Sequence, residues 1–437
     1  MVRERGIPGV GGDPRHATVT DPCDTRSNMN AFTIRPIGAA EWQEWAMIAQ
    51  EAFVSDMPEE HLQRLRASVD FDRSLGAYDD DVLIGGAISL AFSMAVPGAT
   101  LSAAGVTGVA VLPSHRRRGV LRGLMRAQLA GVRERGEPIA ALYASEAPIY
   151  GRYGYGRAAD RLALRIPTNR SAFRDSAPRD PALRVRIATP AAARADMEKV
   201  HDAAWPARPG MYRRDTFRWD LLFHDDRSAG GYGSLRCVLV EDDAGPRGYA
   251  MFRIRRGATE HDVPDGVLRL EDLAALDPAA YALIWRQVLD RDLVATVVAG
   301  NRPVDDPLLH LVADPRQLGA IYSDDLWLRL VDAGQALASR RYATEVDTVI
   351  ELTDPVCPWN EGRWRLSADP SGSVCERTTD PADVALPADS LAAAYLGGRP
   401  LTPLAAAGGA AELTRGALAR LSTAMSWEPR PWCGLVF

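Results

Sequence analysis

Val109-Ala110-Val111-Leu112-Pro113-Ser114-His115-Arg116-Arg117-Arg118-Gly119-Val120-Leu121-Arg122 is the stretch that decides how this chain is read. An apolar, β-branched run ends in a proline. Three arginines and a glycine follow, and then a helical pattern begins. That order suits a diphosphate: a strand delivers the chain, a glycine turn lets the backbone approach closely, and a helix N-terminus offers free N–H groups and a positive dipole end. The arginines add charge beside those donors.

Working outward, helical spacing of Trp42, Trp45, Ile48 and Ala52 predicts a helix over 40–53. A short helix is expected over 58–69, and strands over 74–78 and 82–92. Asp79-Asp80-Asp81 between those strands reads as a solvated hairpin turn and not a metal site. A strand over 104–112 precedes a helix from Val120 to about Arg135. That helix turns Leu121, Leu124, Met125 and Leu129 inward and Arg122, Arg126, Arg133 and Glu134 outward. The strand expected over 139–145 leads into Ile149-Tyr150-Gly151-Arg152-Tyr153-Gly154-Tyr155-Gly156.

A Pro- and Ala-rich linker is expected over 167–190. Beyond it the pattern partly repeats: a helix near 191–204, strands over 236–241, 248–255 and 267–273, a helix over 278–290 and a strand over 293–298. No Arg-rich turn recurs, so a duplication that has lost the first unit's phosphate turn is a reasonable hypothesis. From about Leu311 the pattern changes. Strands over 346–352 and 362–368 are followed by short helices over 387–396 and 401–407 and an amphipathic helix over 412–424. The chain runs out in Trp432-Cys433-Gly434-Leu435-Val436-Phe437, an uncharged, aromatic segment that reads as buried.

Composition bounds the possibilities. A chain of 437 residues holds two or three domains. Its apolar share of 46% and charged share of 25% belong to a soluble globular class. A net charge of -6 argues against a general nucleic-acid binder. No apolar run suits a membrane span, because the longest, over 82–96, is broken by glycines. The five cysteines, at 23, 237, 357, 375 and 433, form no C-x-x-C pair. They indicate neither zinc nor a disulfide framework, and they point to a reducing cytoplasm. Residues 1–28 read as a disordered polar tail, or as the stretch before a start at Met29.

Arg116-Arg117-Arg118-Gly119-Val120-Leu121 resembles the R-x-x-G-x-G/A signature of GNAT N-acetyltransferases, with Leu121 where a small residue is usual. Tyr150-Gly151-Arg152-Tyr153-Gly154-Tyr155 is similar to the Y-x-x-x-G-[FY] segment that follows the next strand in that family. Two motifs in this order and setting are more specific than either alone. Together with the three-part organisation they resemble the Eis-type (enhanced intracellular survival) acetyltransferases. The implied fold is α+β: tandem GNAT-like domains, each a mixed sheet flanked by helices, plus a C-terminal sterol-carrier-protein-like domain. The corresponding ranges are 29–168 for the catalytic domain, 169–310 for a degenerate one and 311–437 for the last.

The resemblance implies acetyl-CoA as co-substrate and no metal. The backbone of Val109, Ala110 and Val111 would take the pantetheine arm as an added strand. Arg117, Arg118, Gly119, Val120, Leu121 and Arg122 would surround the pyrophosphate, and Ser145 and Glu146 would border the reactive end. Tyr150 matches the general acid, and the terminal carboxylate of Phe437 matches the general base. A phenol near pKa 10 can protonate a departing thiolate, and an α-carboxylate near 3.5 can hold a cationic amine and relay its proton. His115 reads as a neighbour of the phosphate turn, Tyr153 and Tyr155 as packing residues, and histidines 201, 224, 261 and 310 show no ligand spacing. The acceptor would be a small-molecule amine, such as an aminoglycoside or another polyamine, or a lysine side chain. Glu51, Asp56, Glu59 and Glu60 are candidates to attract it. A cytoplasmic homo-oligomer, a hexamer by resemblance, with neither nucleic acid nor membrane as partner completes the expectation. Two alternatives stand beside it: a lipid- or sterol-binding protein, and a sensor that binds an acyl-CoA without turnover.

Overall fold

The computed structural model describes residues 32–224 and 230–437. The tail expected over 1–28, the start at Met29 and Cys23 lie outside the described residues. The chain divides into two compact units. One runs to Leu90 and resumes over Val106–Gly131; the other takes Ala91–Gly105 and Val132–Phe437.

In the first unit the helix Trp42–Phe53 buries Trp42, Trp45, Ala46, Ile48 and Ala49, which is the helical stripe its spacing predicts. The two indoles stack at 5.0 Å and pack with Tyr78, Leu83, Ile88 and Ala110. The strand Thr33–Pro36 pairs antiparallel with Leu75–Asp79, which pairs antiparallel with Val82–Val96. The acidic triplet turns that hairpin, with Asp80 at φ 52°, a left-handed conformation that aspartate tolerates. The helix Val120–Glu134 buries Val120, Leu124, Met125 and Leu129, while Leu121 is half-buried. Val120 and Leu124 lock its first turn against Ala77 and Ile84.

In the second unit Ala103–Gly105 pair parallel with Ile139–Ala141. The strand Ile139–Leu142 is buried throughout and pairs antiparallel with Trp327–Leu330, which also pairs with Gly156–Arg157. A second sheet has the order Ile321–Asp324, Asp160–Pro167, Val294–Pro303, Gly266–Ala275, Gly245–Arg255, Arg236–Asp242, Arg184–Ala188. Strand alternation gives it two apolar faces. Val238, Val240, Ala250 and Phe252 face the helix Pro278–Leu289 with its buried Trp285, while Cys237, Leu239, Tyr249 and Met251 face the helix Pro190–Ala204. The strand Arg184–Ala188 falls inside the stretch expected as a linker. It is an edge strand, exposed at most positions, so it carries little apolar signal.

The five-stranded sheet of the C-terminal region has the order Ser373–Arg377, Gly362–Ala368, Val346–Thr353, Val384–Pro387, Ala411–Glu412. The helices Ala388–Tyr395 and Leu401–Ala406 lie where expected. The last helix, Ala417–Met425, begins five residues later than its amphipathic pattern suggests. Ala411 and Glu412 pair with Ala385 and Val384, and the Glu412 carboxylate accepts the Leu418 N–H at 3.1 Å, capping the helix from the strand.

A buried ion pair ties the strand Trp327–Leu330 to the turn that follows Val346–Thr353. Arg329, in Trp327–Leu330, gives Nη2 to both carboxylate oxygens of Asp354 at 2.6 Å, and both side chains are buried. Asn360 Nδ2 and the Cys357 N–H donate to the same carboxylate.

Candidate active site

The Arg-rich turn lies in the first unit. The strand Ala99–Val111 carries Val109, Ala110 and Val111 to a single 3-10 turn, Pro113–His115. Arg117 (φ 65°) and Gly119 (φ 85°) then take left-handed conformations. A side chain at Gly119 would meet nothing within 4 Å, so the glycine serves the backbone bend and the open approach above it. Gly123 donates to the Gly119 carbonyl at 3.0 Å, which starts the helix. The N–H groups of Val120, Leu121 and Arg122 therefore have no intrahelical acceptor. Arg116, Arg117 and Arg122 are exposed and make no ion pair among the described residues. Arg118 is held back: its Nη1 lies 3.0 Å from Asp79, and His115 Nε2 lies 3.3 Å from the same carboxylate. Free donors, positive charge and open space fit a diphosphate such as that of coenzyme A.

The tyrosine motif lies in the second unit. After Leu142 the strand gives way, and Ser145 and Glu146 are exposed. Glu146 precedes the one-turn helix Ala147–Tyr150. Tyr150 is 6% exposed. Burial raises its pKa; a hydrogen bond with the Ser145 hydroxyl works against that rise. Its ring meets the buried Tyr155 edge-on at 6.1 Å. A left-handed Gly154 (φ 77°) turns the chain there, and a side chain on it would strike Arg329.

Phe437 also belongs to the second unit. Its ring sits among Phe92 (4.6 Å), Tyr143 (5.3 Å) and Tyr212 (5.8 Å). The Tyr212 hydroxyl donates to the Leu435 carbonyl at 3.1 Å. Burial raises the pKa of both Tyr143 and Tyr212. Trp432 and Cys433 are buried, whereas Val436 is exposed, so the expected burial of the terminal segment holds for its beginning and for one face of its end. Tyr143 stands two residues before Ser145, so the strand exit that bears Ser145, Glu146 and Tyr150 also grips the Phe437 ring.

Comparison with known proteins identifies the family. Residues 33–158 and 210–330 each match the acetyltransferase (GNAT) domain family, and residues 333–434 match the sterol carrier protein domain family. An N-acetyltransferase of Streptomyces avermitilis is 42% identical over 404 residues, covering 91% of this chain and 98% of that protein. N-acetyltransferase Eis of Mycobacterium bovis is 30% identical over 378 residues, 84% of this chain and 90% of that one. The crystal structure of Eis1 from Mycobacterium abscessus superposes with a TM-score of 0.79 at 32% identity, over 92% of this chain and all of that one. The chain belongs to the Eis family of GNAT N-acetyltransferases. A GCN5-related N-acetyltransferase from Anabaena variabilis, 21% identical with a TM-score of 0.80 over 93% of this chain, shares the fold.

Within this Eis-family enzyme several residues outside the expected set matter. Asp79 pairs with His115 and Arg118; its acidic triplet was visible, but its partners lie some forty positions on. Phe92, Tyr143 and Tyr212 form the Phe437 cage without any shared motif. The acidic candidates Glu51, Asp56, Glu59 and Glu60 are all exposed, with Glu59 bonded to Gln43 and Gln63 and Glu60 paired with Arg64. His201 is buried against Trp219, and burial lowers its pKa to about 3, as befits a neutral packing residue. Among the described residues no helix is long and apolar enough to cross a membrane.

Proposed function

We propose that this N-acetyltransferase moves the acetyl group of acetyl-CoA directly to a primary amine, with Tyr150 as general acid and the Phe437 terminal carboxylate as general base. The observation that carries the reading is the Tyr150 phenol: buried, bonded to Ser145 and kept in its protonated form at the strand exit. Acetyl-CoA supplies an activated thioester carbonyl. Val109, Ala110 and Val111 offer backbone groups to its pantetheine arm. Arg117, Arg118, Gly119, Val120, Leu121 and Arg122 take its pyrophosphate, and Ser145 and Glu146 border its reactive end. For Arg118 this means exchanging Asp79 for phosphate. The carboxylate accepts the amine proton as the C–N bond forms, and Tyr150 gives its proton to the departing sulfur as the C–S bond breaks. Holding both partners in line supplies much of the remaining acceleration.

Aminoglycosides, other polyamines and lysine side chains are the proposed acceptors. A cavity of about 450 Å³ is lined by Glu198, Asp202 and Asp215 and by Arg213, Arg214 and Arg218, so its charges balance and it singles out none of these acceptors. Arg218 lies 4.2 Å over the Phe92 ring, which in turn touches Phe437. A cytoplasmic hexamer belongs to the same proposal, and the four described cysteines, buried and unpaired, are in keeping with a reducing compartment.

Tyr150→Phe tests the acid. It is expected to lower kcat by about 10²- to 10⁴-fold and to leave KM for acetyl-CoA nearly unchanged. An unchanged kcat removes Tyr150 from the mechanism. Thiol release from acetyl-CoA across a panel of amines identifies the acceptor, and release no faster than hydrolysis with every amine would favour the sensor alternative.

A further inference from the structure

The sheet of the second GNAT domain opens where its two parallel strands part. Gly266–Ala275 and Val294–Pro303 pair, after a shift at Gly266, up to Leu270 and Ala299. Beyond that, Asp272 to Ala275 stay with the strand Gly245–Arg255, while Arg302 and Pro303 pair with Leu162 and Arg161. Such a parting leaves backbone polar groups that need a partner. Here the chain itself provides one. Asn301, in the bulge between Ala299 and Arg302, gives Nδ2 to the Cys433 carbonyl at 2.9 Å and accepts the Trp432 indole N–H at 2.7 Å. Asp325 Oδ2 accepts the Cys433 N–H at 2.9 Å. Both backbone polar groups of Cys433 are thus taken by side chains. The Trp432 N–H reaches the Pro209 carbonyl at 3.0 Å. A remaining cavity of about 340 Å³ is bordered by Asn301, Arg302, Trp432 and Gly434.

We infer that the parted strands of the second domain, together with Asp325, are a receptor for Trp432–Gly434, and that Asn301 and Asp325 are positioning residues that fix where Phe437 lies for acetyl transfer. The inference rests on the role proposed above for Phe437. It gives the second domain, which lacks an Arg-rich turn, a part in the reaction carried by its own cleft. Asp325 is 1% exposed, and burial raises its pKa to about 7. The Cys433 N–H, Arg161 and the Tyr143 hydroxyl work against that rise and Asp160 adds to it, while the Cys433 thiol is itself held at about 12 by burial. Either ionisation state of Asp325 retains an oxygen that can accept the Cys433 N–H.

The test uses Asn301→Ala, Asp325→Ala and Asp325→Asn in the full chain, with two readouts. One is alkylation of Cys433 in the native protein, resolved by mass spectrometry; the buried Cys237, Cys357 and Cys375 report in the same sample that the fold is intact. The other is steady-state thiol release. Both alanine variants are expected to alkylate Cys433 about tenfold faster, as the loss of a buried hydrogen bond implies, and to lower kcat by a similar factor with KM for acetyl-CoA unchanged. Asp325→Asn, which keeps an acceptor oxygen, is expected to restore both. Unchanged Cys433 alkylation overturns the inference and leaves the role of Phe437 untouched. Faster alkylation with undiminished kcat overturns it as well, and removes Phe437 from the mechanism.

Discussion

A peptide tag appended after Phe437 is expected to lower kcat by about 10²-fold or more, while the same tag at the other end of the chain leaves kcat intact. The appended residue turns the proposed base into a neutral amide, which neither accepts a proton nor attracts an ammonium group. It must also leave a confined place, since Phe92, Tyr143 and Tyr212 surround the Phe437 ring and Tyr212 holds the carbonyl two residues earlier. The turn Arg116–Gly119 belongs to the other unit, so calorimetric titration with coenzyme A should give nearly the same affinity for tagged and untagged protein. A tagged enzyme that turns over at the untagged rate refutes the carboxylate as base.

Arg329→Met is expected to cost about 3–5 kcal/mol of stability, read as a lower urea midpoint with an unchanged slope. The substitution is similar in volume but leaves the Asp354 carboxylate buried with the Cys357 N–H and the Asn360 amide as its donors among the described residues. Removing one member of a buried pair strands the other's charge. Replacing both by apolar groups does not, so Arg329→Met with Asp354→Leu should recover much of the loss. An equal or larger loss in the double variant would show that the packing of the two side chains, and not their charge, holds the region together. The pair also bears on the site. Arg329 underlies Gly154, where the chain turns after Tyr150, so the single variant should lose turnover along with stability.

The parts legible in the sequence are those where one local pattern decides. The Arg116–Gly119 turn combines a strand end, a glycine and a helix start within fourteen residues, and each signal agrees with the others. The Trp42 to Ala49 stripe and the alternation over 236–255 are periodicities that a buried face imposes. Less legible are elements whose partners are distant. The strand Arg184–Ala188 sits at a sheet edge and needs few apolar residues, and the strand Trp327–Leu330 is only four residues long and owes its place to Ile139–Leu142. The last helix was misplaced at its start because Glu412 serves a strand and a cap at once. Asn301 and Asp325 carried no motif at all. A lone polar residue announces itself as a clamp only when the backbone it grips, more than a hundred positions later, is in view.

The anchorage of Trp432 to Phe437 has a kinetic corollary. Its partners, Phe92, Tyr143, Pro209, Tyr212, Asn301 and Asp325, are scattered along the chain, so no fragment that stops short of Asp325 offers a complete seat. Contacts of such wide sequence separation carry a loop-closure cost that must be met before they reward it, and they form late. Docking of this segment is therefore a closing event of folding, and a molecule that has reached it has already assembled the surfaces on which it docks.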